Sequence, residues 1–210
     1  MALTITASEV DGWDTILQNV AEASSTIDLH LSYASTIHLD IALAAAVAHT
    51  GTRILVQTIG DAATGDHENW STFMSFIACV GTGAIEATLD DPLAALSTTI
   101  DVASLTGFTV ATGGTLLALI EDGTLADSEL VRIISTEVDG GAGSNDLITL
   151  LDATTTPHAA PSVLHNVVEQ FVIPIPFGTT AARIVWDNTY DADGDAIFVR
   201  TRVVKTTALT

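Results

Sequence analysis

Apolar and polar residues alternate along most of this chain, which is the pattern of β-strands that bury one face. The alternation runs through residues 27–33 and 37–43 and continues in the segment "RILVQTIG" at 53–60. It returns after residue 162 and ends in two strand-like runs, "RIVWDN" and "AIFVRTRVVK". Two antiparallel sheets packed face to face are the usual arrangement for such strands. The pattern therefore predicts an all-β protein, an antiparallel β-sandwich that is jelly-roll-like.

The N-terminal segment departs from this alternation. In "SEVDGWDTILQNVAEA", residues 8–23, Ser8 resembles a helix N-cap and Asp11 an acid in the first turn. Three apolar residues are spaced to share one face of a helix, namely Ile16, Leu17 and Val20. This spacing predicts a short N-terminal helix.

The middle of the chain shows a third sequence pattern. Residues 106–156 consist of short apolar runs separated by Gly, Thr and Asp, as in "LIEDGTLADSELVRIISTEVDGG". Short strands joined by such turns are typical of a small β-barrel or β-meander. We therefore expect three parts: an N-terminal arm or helix over 1–24, a sandwich over 25–100 and 162–210, and an inserted small β subdomain over 101–161.

The net charge of the chain limits the kinds of partner that it can bind. The 210 residues include 26 acids and 6 bases, for a formal net charge of −20. A nucleic-acid binder needs a basic surface, and an anionic membrane would repel this chain in the same way. The N-terminus lacks the features of a signal peptide, and no apolar run reaches the roughly 18 residues of a membrane span. These features predict a soluble protein made in a cytoplasm, with no nucleic-acid or membrane partner.

The acidic segment "DADGD", residues 191–195, invites comparison with a calcium-binding loop. In an EF-hand register Asp191, Asp193 and Gly194 occupy positions 3, 5 and 6. Positions 1 and 12 are then Thr189 and Arg200, which do not fit. Two interpretations remain: the tip of a hairpin, or a calcium site of another kind. The second would use Asp187, Asp191, Asp193 and Asp195.

Catalytic patterns are absent from the sequence. The six histidines show no HxH or HExxH spacing, and His30 and His38 lack an identifiable third metal ligand. The acid pairs Asp90–Asp91 and Glu121–Asp122 are adjacent in sequence, which does not place them in a cleft. No nucleophile elbow, phosphate loop or dinucleotide motif occurs, and the lone Cys79 lies in the apolar run "FIACVG". We expect no enzymatic activity and no bound cofactor.

Two stretches resemble virion proteins of tailed bacteriophages. One is "SYASTIHLDIALAAAVAHTGTRILVQTIGDAATGDHENWSTFMSF"; the other is "LIEDGTLADSELVRIISTEVDGGAGSNDLITLLDATTTPHAAPSVLHN", which resembles a β-module of phage head and tail proteins. The terminal "RIVWDNTYDADGDAIFVRTRVVK" adds to the likeness. The residues that match the module are Ser128, Glu129, Val131, Arg132, Ile133, Leu150, Leu151, Asp152 and His158.

The resemblance implies a non-enzymatic structural protein of the virion. Since packaged DNA would repel the acidic surface, we expect a capsid decoration or cement protein on the outer surface of the particle. Its partners would be the major capsid protein or other virion proteins, and a homo-oligomer is expected, with a trimer as the working hypothesis. The basic residues nominated for partner contact are Arg200, Arg202 and Lys205. Alternatives are a tail, neck or baseplate component, and a calcium-assisted extracellular adhesin or carbohydrate-binding sandwich.

Overall fold

The computed structural model is an antiparallel β protein, as the alternation predicts. It describes residues 3–17, 19–30, 32–44, 48–49, 51–59, 70–82, 86–105, 108–138, 146–189 and 196–208. Within these ranges the one helical segment is a single 3-10 turn, Leu125–Asp127. The strands are β1 (Leu3–Ile16), β2 (Ala21–Ala23), β3 (Ile27–Asp28), β4 (Ser32–Leu43), β5 (Ala48–His49), β6 (Thr52–Ile59), β7 (Ser71–Ala78), β8 (Gly81–Thr82), β9 (Glu86–Thr88), β10 (Thr99–Val102), β11 (Leu116–Glu121), β12 (Glu129–Glu137), β13 (Asp146–Leu150), β14 (Val163–His165), β15 (Val168–Ile175), β16 (Ala181–Asp187) and β17 (Ile197–Ala208).

The chain divides into two compact units. The first comprises Met1–Ile41, Ala48–Gly81 and Glu169–Thr210, and the second comprises Ala42–Val47 and Thr82–Val168. The larger segment of the second unit, Thr82–Val168, is inserted between two segments of the first, where the sequence pattern suggested an insert over 101–161.

The first unit has the strand order of a jelly roll. One sheet runs β1-β17-β4-β15 and the other runs β2-β16-β6-β7, with β3 also paired to β16. Each sheet therefore alternates strands from the two ends of the unit, as in the double Greek key of a jelly roll. The described pairings of β1 with β17 and of β16 with β2, β3 and β6 are all antiparallel.

The buried core of this sandwich follows from the two-residue period with which side chains alternate between the faces of a strand. Alternate residues of β4, β6, β16 and β17 point to the inside and are fully or almost fully buried. Burying each large aliphatic side chain contributes about 1.5–3 kcal/mol. The main contributors are Ile37, Leu39, Ile41, Ile54, Val56, Ile184, Trp186, Val199 and Val203.

The predicted N-terminal helix is wrong. Residues 3–16 form β1, which pairs with β17 from Leu3 opposite Ala208 to Ile16 opposite Ile197. The register shifts twice, between Glu9 and Asp11 and between Asp11 and Asp14. Each shift adds one residue to β1 relative to β17, as in a β-bulge. The residues of the predicted helical face do not lie together, because Ile16 is buried at the end of β1 whereas Leu17 is 58% exposed.

The second unit is a small antiparallel barrel, the architecture that its short runs and turns predict. Its sheet runs β10-β13-β12-β11-β14-β9. A bridge between Leu89 and Val102 brings the two end strands together, with backbone bonds from Asp90 to Asp101 and from Ala103 to Thr88. Its interior contains a cluster of buried apolar residues: Ala87, Leu89, Leu93, Ile100, Val102, Leu105, Phe108, Ala118, Ile120, Val131, Ile133, Ile148, Leu150 and Leu164.

Candidate functional site

A buried carboxylate lies on the outer face of the β1-β17-β4-β15 sheet. Asp40 is only 1% exposed, on the opposite side of β4 from Leu39 and Ile41. Its Oδ2 accepts from Arg200 Nη2 at 2.8 Å and from Arg202 Nη2 at 2.9 Å. A buried charge needs such partners, since losing hydration without compensation costs several kcal/mol.

Two further groups complete the Asp40 cluster. Gln170 Nε2 donates to Asp40 Oδ1 at 2.6 Å from the neighbouring strand β15. The guanidinium carbon of Arg200 lies 4.9 Å from the centre of the Trp13 ring, within the range of a cation–π contact. Sequence reasoning missed Asp40, although an acid inside the apolar run "IHLDIAL" is itself a signal, because a buried strand accepts a charge only beside a partner.

The three bases nominated for partner contact are thus engaged within the chain. Arg200 and Arg202 bind Asp40, and Lys205 Nζ donates to the backbone oxygen of Asp28. Arg202 keeps 39% of its side chain exposed, so one face of it still meets solvent. Their contact with another virion protein stays a prediction, now alongside a structural role.

Of the four aspartates nominated for calcium, the structure describes one. Asp187 is buried at the end of β16, directly opposite Arg53 of β6, whose Nε donates to Oδ2 at 2.9 Å. Burial raises the pKa of Asp187, but hydrogen bonds from Thr189 and Arg53 outweigh it and hold that pKa below its usual value. Three of the nominated ligands, Asp191, Asp193 and Asp195, lie outside the described residues, so the calcium interpretation stays untested.

A buried histidine in the barrel unit is clamped between two acids. His158 Nε2 lies 3.3 Å from Glu129 Oε2, and its Nδ1 lies 3.3 Å from Asp122 Oδ2. The backbone of His158 exchanges two hydrogen bonds with Leu93, at 2.8 and 2.9 Å. Glu129 also accepts from the backbone nitrogen of Thr155 at 2.8 Å. Together these contacts fasten the 151–162 loop to the start of β12.

Three of the residues that carry the resemblance, Ser128, Glu129 and His158, take part in this clamp or lie beside it. Ser128 Oγ accepts from the backbone nitrogen of Asp122 at 3.2 Å, and Glu129 holds the Thr155–Thr156 turn. The motif "SE…T-x-x-H" is therefore a structural fastening between a hairpin turn and a loop.

A second histidine in the barrel unit is also buried and paired with an acid. His165 is almost fully buried on β14, and its Nε2 lies 2.8 Å from Glu121 Oε2. A general base has to reach a proton on a bound substrate. The side chains of His158 and His165 are 0% and 1% exposed, so a substrate in solution does not reach their rings. These acid–histidine pairs stabilise the barrel by their contacts within the chain.

Glu129 provides a pH-dependent test of the clamp. Burial alone would raise the pKa of Glu129, but hydrogen bonds from Thr155, Thr156 and His158 lower it below its ordinary value of 4.5. Its stabilising contribution is therefore complete above pH 4.5 and is lost as the pH falls through the lowered pKa. We expect Glu129→Gln to unfold about 1–2 kcal/mol more easily than the wild type at pH 7.

The measurement is urea denaturation of both proteins between pH 3 and pH 7, where the difference should shrink toward the acid end. Glu137→Gln is the matched control, because Glu137 is exposed at the other end of β12 and carries the same charge. A difference that persists unchanged at pH 3 would show that Glu129 stabilises the loop by packing and not by its charge.

The lone cysteine has no features of a reactive thiol. Cys79 is fully buried, and burial raises its pKa far above the usual range, with a smaller contribution from the charge of Glu169. A nucleophilic cysteine needs the opposite shift and an accessible sulfur. Cys79 is a small apolar residue of the sandwich.

The end strand β7 presents an exposed apolar surface without charge. Its residues and those that follow, 70–85, contain no Asp, Glu, Lys or Arg. Phe73, Ile77 and Val80 are 42%, 43% and 62% exposed, and we call these three side chains the β7 edge. Ile77 and Val80 both approach Gly51, where an added Cβ would overlap Ile77 and lie 2.9 Å from Val80 Cγ2. Edge strands of soluble proteins usually carry charges that discourage pairing, and this one does not.

No helix in the described part of the chain is long and apolar enough to cross a membrane. No group of three His, Cys, Asp or Glu side chains among the described residues is arranged to hold a metal ion. Comparisons with protein-family models, with curated proteins and with solved structures found no match to this chain.

Proposed function

We propose that this chain is a non-enzymatic structural protein of a tailed-phage particle, a capsid decoration protein that assembles as a homo-oligomer on the outer shell. The observation that carries the proposal is the β7 edge, three exposed apolar side chains in an uncharged segment of a chain with a net charge of −20. Such a strand is suited to burial against another protein.

The fold supports the proposal by analogy. Jelly rolls occur in viral capsid proteins, and they occur also in lectins and cupins. A fold does not determine a function, so this analogy raises the expectation without deciding it. The buried acid–histidine pairs of the barrel unit add support, because they have the character of fastenings and not of catalytic groups.

A second copy of the chain is the expected occupant of the β7 edge. Two strongly acidic molecules repel each other over most of their surfaces, and they meet at least cost where both are uncharged. Residues 70–80 provide such a surface, and no described strand pairs with the side of β7 away from β6, so a neighbouring strand could pair with its backbone groups there.

Introducing a charge at the β7 edge tests this assembly. We expect the wild type to sediment as an oligomer and Ile77→Lys to sediment as a monomer of 21.8 kDa, because a buried unpaired charge weakens an interface by about 2 kcal/mol or more. Ile5→Lys, at a residue 73% exposed on β1, is the matched control and should leave the oligomer intact. A wild type that stays monomeric at high concentration contradicts the assembly.

The location on the particle is tested directly. In particles purified from cells that produce this chain, we expect electron cryomicroscopy to show its two β units on the outer surface of the head. Density in the tail or neck would favour the second interpretation, a tail, neck or baseplate component. Absence of the chain from purified particles would overturn the proposal.

The rival class, a calcium-assisted adhesin or carbohydrate-binding sandwich, rests on Asp187 and the acidic segment 191–195. Calorimetry with and without a chelator separates the two classes. A melting temperature that falls sharply on calcium removal favours the adhesin, since a cation bound only by the folded state stabilises it. An unchanged melting temperature favours the virion component.

A further inference from the structure

One leucine of the barrel unit is held in a backbone conformation that leucine seldom adopts. Leu96, in the segment between β9 and β10, has a φ of 65°, in the left-handed region. A residue with a bulky side chain is strained there, and turns that need this conformation usually carry Gly or Asn. The side chain is nevertheless 78% exposed, so burial in the interior does not offset the strain.

The backbone around Leu96 is fixed by hydrogen bonds to the 151–162 loop. The Leu96 nitrogen donates to the Thr154 oxygen at 2.8 Å, and the Thr154 nitrogen donates to the Ser97 oxygen at 2.9 Å. The hydroxyl of Thr154, a residue with 0% exposure, accepts from the Ser97 nitrogen and donates to the Ala94 oxygen, both at 3.2 Å. A strained conformation persists only where its surroundings determine it, and such positions are concentrated at binding sites.

The same segment is joined to the histidine clamp. Leu93, three residues before Leu96, belongs to the buried apolar cluster, and its backbone exchanges two hydrogen bonds with that of His158. The ring of His158 lies between Glu129 and Asp122. The segment is therefore anchored in the barrel interior at one end and presents Leu96 from a fixed base.

Further apolar side chains of this segment are exposed. Residues 92–96 read "PLAAL", and of these only Leu93 is buried. Leu151, 49% exposed, follows Leu150, whose nitrogen donates to the Thr98 oxygen at 2.9 Å, so Leu151 lies beside the segment. We call residues 92–96 and Leu151 the Leu96 patch.

Exposed acids flank the Leu96 patch. Asp90 and Asp91 directly precede it, and Asp152 follows its last residue. All three are exposed, and none of them forms an ion pair with another described residue. Residues 82–168 as a whole contain twelve acids and one base. The patch would therefore repel a second copy of this unit and attract a surface that carries Lys and Arg.

We propose that the Leu96 patch docks a partner protein whose surface has an apolar pocket bordered by Lys or Arg. Leu96 fills the pocket, and the three flanking acids meet the bases at its rim. A side chain presented from a fixed backbone suits such a contact, because little ordering is needed on binding. The patch is separate from the β7 edge, and placing its partner on the phage shell rests on the proposed function.

Binding of the purified chain to phage particles assembled without it tests the contact. Leu96→Asn should lower the affinity about ten- to a hundredfold, the range expected for losing one leucine buried at an interface. The melting temperature of this variant should equal or exceed that of the wild type, because Asn adopts a positive φ at lower cost. A residue with only a structural role would show a lower melting temperature instead.

Two variants serve as matched controls. Leu96→Met keeps a flexible apolar side chain and should bind almost as tightly as the wild type. Val138→Asn removes a 70% exposed apolar side chain that follows the other end of β12 from Glu129, and it should leave the affinity unchanged. Repeating the measurements in the Ile77→Lys background removes self-association through the β7 edge, so that each molecule binds through this contact alone.

Salt tests the charge of the partner. The affinity should fall as NaCl is raised from about 0.05 M to about 0.5 M, since salt screens the attraction between acids and bases. Asp91→Asn with Asp152→Asn should reduce this dependence on salt. Glu9→Gln with Glu137→Gln changes the net charge equally at two other exposed positions and should not.

The outcomes separate this inference from the proposed function. Equal affinity of the wild type and Leu96→Asn, or an affinity that rises with salt, would overturn the inference and leave the proposed function standing. Particles that do not bind the wild type at all would overturn both.

Discussion

Replacing Arg200 and Arg202 together by Met lowers the free energy of unfolding by about 3–5 kcal/mol, because the carboxylate of Asp40 is left buried without a counter-charge. Methionine preserves much of the packing of each arginine stem, so the loss reports mainly the charge. Urea denaturation at pH 7, followed by tryptophan fluorescence, measures it.

Removing the negative charge of Asp40 is the decisive control. Asp40→Asn in the doubly substituted background should restore a large part of the lost stability, since a neutral amide is cheaper to bury than a carboxylate. Arg132→Met removes an arginine from the exposed face of β12 in the barrel unit and should change stability by less than about 0.5 kcal/mol. If the double variant is as stable as the Arg132→Met protein, then Asp40 does not depend on its two arginines.

The dependence of Asp40 on Arg200 and Arg202 affects how a partner contact of these two arginines can be tested. Reversing the charge of Arg200 and Arg202 would disturb the Asp40 cluster as well as any outer contact, so lost attachment to a particle would have two explanations. Lys205 offers a cleaner test, because its ammonium group binds a backbone oxygen of Asp28 and no buried charge depends on it. Lys205→Gln with an unchanged melting temperature therefore isolates the contribution of a basic partner contact.

Local alternation was sufficient to predict most of the strands. Ile37, Leu39 and Ile41 are buried because a strand places every second side chain on the same face, and this rule needs no knowledge of the neighbouring strand. The barrel unit was predictable for a similar reason, since short apolar runs separated by Gly and Asp leave room for short strands and tight turns only.

Features that depend on distant residues were not predictable in this way. The bulges of β1 arise from its pairing with β17, nearly the whole chain away, so the local sequence of β1 does not show them. The partners of Arg200 and Arg202 are equally remote, because Asp40 lies 160 residues earlier in the sequence.

The interior of the barrel unit gives the second large effect that we expect. Ile133 of β12 is fully buried among apolar residues contributed by the other strands of a sheet whose ends meet. Ile133→Ala removes methyl and methylene groups from this interior, and strands bonded on both sides have little freedom to close the space. We expect the free energy of unfolding to fall by about 2–5 kcal/mol.

The adjacent residue separates burial from other effects of the substitution. Ile134 follows on the same strand, is 39% exposed and lies at the register shift between β12 and β13. Ile134→Ala loses the same atoms and a comparable strand preference, but it leaves no interior space and should change stability by less than about 1 kcal/mol. Hydrogen exchange of both variants locates the loss: for Ile133→Ala the amides of β11, β12 and β13 should exchange faster. Equal losses of stability at the two positions would mean that the barrel interior is not tightly packed. The contacts of Glu129 and His158 would then fasten the 151–162 loop to a strand that is not itself held rigidly.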